Sequence, residues 1–243
     1  MGTRHLLALT GRRLAVAAGL AVAAYAGYAA TTWYRYGHPE PRAIGEARDP
    51  LVDRFMTAYD VAERHRVRVE APADVAFKAA TEMSFQHSAI VRGIFKAREW
   101  IGGGHATREA ELPAFLSQMR AIGWGTLAEV PGREIVMGAV TQPWLADVVF
   151  QPLAPDEFIA FHQPGYVKIV WTLRADPDGA AASIFRTETR VVTTDPSARA
   201  KFRRYWWFAS PGIIVIRWAS LDVVKSEAER RVRTAAMSVT TAR

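Results

Sequence analysis

From Leu14 to Trp33 the chain reads LAVAAGLAVAAYAGYAATTW, twenty residues without a charge. As an α-helix this run is about 30 Å long, the thickness of a bilayer's hydrocarbon core. A chain must bury such a segment on all sides or hand it to lipid, so it constrains everything that follows. Arg4, Arg12 and Arg13 precede the run, whereas Arg35, Arg42 and Arg48 beyond it are diluted by Glu40, Glu46 and Asp49. Lys and Arg close to the span set its orientation, and Arg12-Arg13 abut it directly. The expectation is a single-pass N-terminal anchor within residues 1–36, with the N-terminus cytoplasmic and the domain extracytoplasmic. Trp33, Tyr34 and Tyr36 suit an interfacial aromatic belt. Two other readings stay open: a cleaved signal peptide, since Ala24-Tyr25-Ala26 has the small-x-small form of a cleavage site, and a buried helix of the domain.

The 243 residues, half of them hydrophobic, suit one domain with extensions. The net charge is +7, but Arg4, Arg12, Arg13 and Arg35 all precede the first acidic residue, which leaves only +3 for the rest. A second basic excess lies between Asp195 and Arg233, where nine Lys/Arg face four Asp/Glu. That balance fits a solvated helix face or an anionic lipid surface, and no nucleic-acid partner is expected. There is no cysteine, which excludes disulfides, thiolate nucleophiles and cysteine-held metals.

Residues 37–50, GHPEPRAIGEARDP, carry three prolines and two glycines without a hydrophobic period, the composition of a linker. The domain is expected over 51–233 and a flexible tail over 234–243. His65–Ala71 alternates as a half-buried strand and passes through Pro72 into a helix ending near Met83. Ser88–Ile101 reads as a helix stopped by Gly102-Gly103-Gly104, and Leu112–Ile122 as a short helix. Trp124–Val130 and Arg133–Thr141 flank a Pro131-Gly132 turn. In Tyr166–Arg174, Val167, Ile169, Trp171 and Leu173 share one face. Asp176-Pro177-Asp178-Gly179 supplies the turn, and the returning strand Ser183–Thr193 sets Phe185, Thr187, Thr189 and Val191 opposite Arg186, Glu188 and Arg190. Asp195-Pro196 starts a long helix, and Pro211-Gly212 is expected to break it into 197–210 and 213–233.

This order, with HRVRVEAPADVAF at 65–77, the hairpin from Tyr166 to Thr193 and the terminal helix after Asp195-Pro196, resembles the START-like helix-grip superfamily. Within it the likeness is to the polyketide cyclase/dehydrase and lipid-transport (SRPBCC-type) group, over about residues 60–233. The resemblance implies an α+β fold, an antiparallel β-sheet wrapped around a long C-terminal α-helix with an apolar cavity between them. It also implies a hydrophobic small-molecule ligand such as a lipid, sterol, isoprenoid or polyketide.

The residues themselves offer little chemistry. The HExxH, GxSxG, GxGxxG and Walker patterns are all missing from the sequence, and no histidine has a second one at ligand spacing, so neither a metal nor a cofactor is expected. His87 after the first helix, with Glu188 as a facing carboxylate, is the candidate acid–base pair. The bland alternatives are an exposed histidine and a surface charge ladder on the sheet. Aromatic residues are plentiful, and Trp171, Phe185, Trp207, Tyr166 and Trp144 are the candidate ligand contacts, against the plainer reading that they pack the core. Trp206-Trp207-Phe208 beside Arg203 and Arg204 also suits a membrane interface. The expected function is thus a membrane-anchored binding module for a hydrophobic small molecule. A cyclase- or dehydratase-like enzyme and a non-catalytic assembly protein are the alternatives, and no protein partner is inferable.

Overall fold

The computed structural model describes residues 2–38, 44–45, 48–82 and 114–241. The expected helix at 88–101, the triple glycine and His87 lie outside these residues. Helix α1 (Gly2–Arg35) leads to a short α2 (Pro50–Asp53), β1 (Val61–Val69) and α3 (Ala73–Glu82). Helix α4 (Phe115–Ala121), β2 (Gly125–Val130), β3 (Glu134–Thr141), β4 (Phe150–Gln151) and α5 (Pro155–Ala160) follow. Strands β5 (Val167–Pro177) and β6 (Ser183–Thr193) and helix α6 (Pro196–Thr241) complete the chain.

The strands form one antiparallel sheet in the order β1-β6-β5-β3-β2, with β4 on β3. The hairpin β5–β6 forms where alternation placed it, with Gly179 at φ +82° in its turn. Asp195 caps α6: its Oδ1 accepts from the amides of Ser197 at 2.7 Å and Ala198 at 3.1 Å. Two of the four donors that a helix start leaves bare are thereby satisfied.

One face of the sheet grips α3 and α6. Val69, Ile135, Met137, Trp171, Leu173 and Phe185 from the strands pack with Phe77, Leu221, Val224 and Ala228 from the helices. At the other end of α6, Phe202 and Trp206 pack with Val61, Val167, Val191 and Tyr36. This is the helix-grip arrangement.

The structure corrects three expectations. Helix α6 is continuous through Pro211 and runs on to Thr241, through the stretch expected as a tail. Proline removes one donor and crowds the preceding turn, and in that turn the Tyr25 phenol of α1 donates to the Phe208 carbonyl at 3.1 Å. Packing on both sides of Pro211 holds the axis together. Tyr36 is buried against Phe202, with ring centroids 6.0 Å apart, and so takes no part in an aromatic belt, whereas Tyr34 is exposed.

The third correction concerns the polar face of the hairpin, expected at the surface. Glu188 is 6% exposed and Arg190 2%, because residues 48–60 and α5 fold across that side. Val52, Phe55, Met56 and Phe158 pack there on Val136, Val140 and Val170. The charges are compensated in a network. Arg190 donates to Asp53 at 2.7 Å, Glu188 at 2.8 Å and the Met56 carbonyl at 2.6 Å, while Arg64 reaches Glu188 at 2.9 Å. Asp176 accepts from Arg174, Arg186 and Arg133.

Candidate functional site

The gripped face changes character halfway along α6. Positions 210, 217 and 224 recur every seven residues and therefore share a face of the helix, and fully buried Val224 shows that this face meets the sheet. It carries Ser210 and Arg217. Opposite lie β1 and β6, whose register sets Glu63 beside Thr189 and His65 beside Thr187. A polar layer thus separates the two apolar clusters of the grip.

Four side-chain atoms of this layer are buried without a hydrogen-bond partner among the described residues: His65 Nε2, Thr189 Oγ1, Ser210 Oγ and Arg217 Nε. Trp218 Nε1 donates to His65 Nδ1 at 3.0 Å. Nδ1 is therefore the acceptor, and a neutral ring carries its proton on the orphaned Nε2. Glu63 Oε2 is 3.8 Å from that nitrogen. Burial, reinforced by the Arg217 charge, pulls His65 down to about 4. Burial also pulls the Arg217 guanidinium down to about 10, against the opposite pull of Glu63. At neutral pH the layer presents a neutral imidazole, a cationic guanidinium and two hydroxyls, with the Glu63 carboxyl beside them. His65 and Trp218 also line an open cleft of about 400 Å³ along the seam of β1 and α6, with Val67, Leu221 and the charged Arg64, Arg66 and Asp222.

The candidates from sequence are dispersed. Trp171 and Phe185 are core residues of the grip, Trp171 packing on Phe115 and Trp124 at centroid distances of 5.7 and 5.8 Å. Tyr166 lies at the start of β5 against Phe161. Trp144 and Trp207 come together elsewhere, in a groove between α1 and α6. Glu188 faces away from the grip, held by Arg64 and Arg190, so it cannot act on a ligand there. His65, Ser210 and Arg217 were missed. The available signals were a lone histidine on the apolar side of β1 and one arginine in the otherwise uncharged stretch 205–221.

No protein-family model matches the chain, and no curated protein matches it. Solved structures similar to it include norcoclaurine synthase from Thalictrum flavum, at 9% identity and TM-score 0.34 over 70% of this chain and 94% of that one. A hypothetical protein from Helicobacter pylori is similar at 10% identity and TM-score 0.35, over 77% and 99%. The Zhui aromatase/cyclase from Streptomyces is similar at 15% identity and TM-score 0.25, over 72% and 96%. At such values these likenesses transfer neither ligand nor chemistry. The class rests on the topology itself: an α+β helix-grip protein.

Proposed function

We propose that the chain is a membrane-anchored module that binds a hydrophobic small molecule carrying one polar group, of the lipid, sterol, isoprenoid or polyketide kind. The reading is carried by the polar layer inside the apolar grip. A buried polar atom left unpaired costs about 1–3 kcal/mol, and four border this layer, spread over about 10 Å of α6. A ligand whose polar group reaches Arg217 and His65 would satisfy the orphaned atoms of that pair. A low-pKa imidazole is a hydrogen-bond donor at pH 7 rather than a base poised near the working pH, which favours binding over proton-transfer catalysis.

Among the described residues two helices, α1 over Ala15–Arg35 and α6, are long and apolar enough to cross a membrane. Helix α6 lies along the sheet, while Val16, Leu20 and Val22 of α1 stand exposed, which supports α1 as the anchor. Arg12 and Arg13, abutting the apolar run, favour a domain outside the cytoplasm. With no native cysteine, Thr234→Cys is a clean probe: an impermeant maleimide should label it in intact cells, and labelling only after lysis would reverse the orientation.

Native mass spectrometry of the full chain from mild detergent tests the binding. The expected result is an apolar adduct that Arg217→Met loses and Arg217→Lys retains. A parent chain consistently free of adduct, or an adduct indifferent to Arg217, overturns the reading.

A further inference from the structure

The groove between α1 and α6 is separate from the grip. On α1 its wall is Ala26, Ala29, Ala30 and Trp33, and on α6 Lys201, Arg204, Tyr205 and Phe208. Both sets are spaced i, i+3, i+4, i+7, one stripe on each helix. Trp144 and Trp207 close its sides, and the space between is about 1120 Å³. Three alanines keep it open. The helices are fastened beside it: Arg203 donates to the Trp33 carbonyl at 3.0 Å with its guanidinium 4.0 Å from the Trp33 ring centroid.

Charge is distributed along the groove with a direction. Lys201 and Arg204 stand exposed at the end toward the start of α6, and among the described residues neither has an acidic partner. The flanking Arg199 pairs with Asp60. The opposite end is apolar, with Phe208 59% exposed and the uncharged stretch 205–216 beyond it. On α1 the wall spans the last two turns of the apolar run, about 10 Å of helix. That is the depth of the headgroup region and upper acyl chain of one leaflet.

We infer that this groove seats an anionic phospholipid of the domain-side leaflet, its phosphate at Lys201 and Arg204 and one acyl chain along Ala30, Ala29 and Ala26 toward Phe208. The inference rests on the reading of α1 as a membrane span. Two cations at a bilayer surface favour an anionic lipid by roughly 30-fold together.

Full-length chain reconstituted in phosphatidylcholine nanodiscs with a minor share of phosphatidylglycerol tests it, reading the lipid that remains bound when the disc is dissolved. The parent should retain phosphatidylglycerol over phosphatidylcholine by about that factor, and Lys201→Ser/Arg204→Ser should retain the two in proportion to their supply. Ala29→Phe, which fills the groove and leaves both cations, should retain neither. No preference in the parent, or an unchanged preference in the double variant, overturns the inference while the chain remains in the disc. A chain released from the disc by carbonate overturns the anchor reading and the groove with it. Loss of the grip adduct through Arg217→Met should leave phosphatidylglycerol retention unchanged, which separates the two sites.

Discussion

Replacing Arg190 with methionine removes the guanidinium at the centre of the network on the far side of the sheet and keeps much of its apolar volume. Breaking a buried ion pair from one side costs about 3–5 kcal/mol, because the partner is left uncompensated. Here each carboxylate keeps a second arginine, Asp53 with Arg48 at 3.0 Å and Glu188 with Arg64 at 2.9 Å. The low end, about 3 kcal/mol, therefore applies. In a chain of this size each kcal/mol moves Tm by about 2–4 °C, so Arg190→Met should melt about 6–12 °C below the parent by circular dichroism of the full chain in detergent at pH 7. The gap should depend on pH with a definite sign. Burial pushes the Asp53 carboxyl up, but bonds from Arg190 and Arg48 outweigh it and hold the carboxyl below its ordinary range. A depressed folded pKa contributes stability above the unfolded value, near 4, and that contribution disappears as pH falls through the folded value. Parent and variant should converge below about pH 4. A gap under about 2 °C at pH 7, the size expected for an exposed pair, or a gap that persists undiminished into acid, would refute the description of this face as a buried electrostatic network.

Other consequences are as direct. Gly123→Ala combines a φ of +101° with a Cβ only 2.0 Å from the Phe150 carbonyl oxygen; it should cost at least about 2 kcal/mol in urea unfolding. Gly132→Ala, at φ +71° with open space around it, should cost about 1–2 kcal/mol; equal losses at the two sites would deny the close approach at Phe150. His65 has its folded value pulled to about 4 from 6.5, so its contribution is whole above pH 6.5 and declines, by up to about 3 kcal/mol, as pH falls toward 4. His65→Gln should flatten that slope, and a proton NMR titration of His65 centred near 6.5 would contradict the burial. Finally, an uncleaved anchor keeps the intact mass at 26.9 kDa, whereas loss of the segment through Ala26 would establish the signal-peptide alternative.

What the sequence made legible is local. Strand alternation around Trp171 and Phe185, the Asp195-Pro196 cap and the Val67/Val69 face are written in nearest neighbours, and each forms as expected. What stayed hidden depends on long-range contact. Alternation alone cannot tell a solvated polar face from one covered by residues 48–60, so Glu188 and Arg190 looked like surface charges although they are buried. Proline's cost at 211 is also a local quantity, and it was overridden by packing at Phe202 and Trp206 on one side and Leu221 and Val224 on the other. His65, Ser210 and Arg217 sit 145 or more residues apart in one case and seven in the other. Only the passage of α6 over β1 brings them into one layer.

The junction of anchor and domain carries the last step. A span joined by a loose linker would leave the domain free to tumble over the bilayer, and nothing on its surface would hold a fixed depth. Here the exit of α1 is tied down three ways: Tyr36 is buried on Phe202, the Gly37 amide donates to the Asp60 carbonyl at 3.1 Å, and Arg203 clasps Trp33. Asp60 also accepts from Thr193 at the end of β6 and pairs with Arg199 of α6. The anchor axis is thereby coupled to the sheet and to the helix it grips. If α1 crosses the bilayer, then Trp207, Phe208 and the start of α6 are held at the interface by the same contacts, and the groove and the polar layer of the grip lie along one helix.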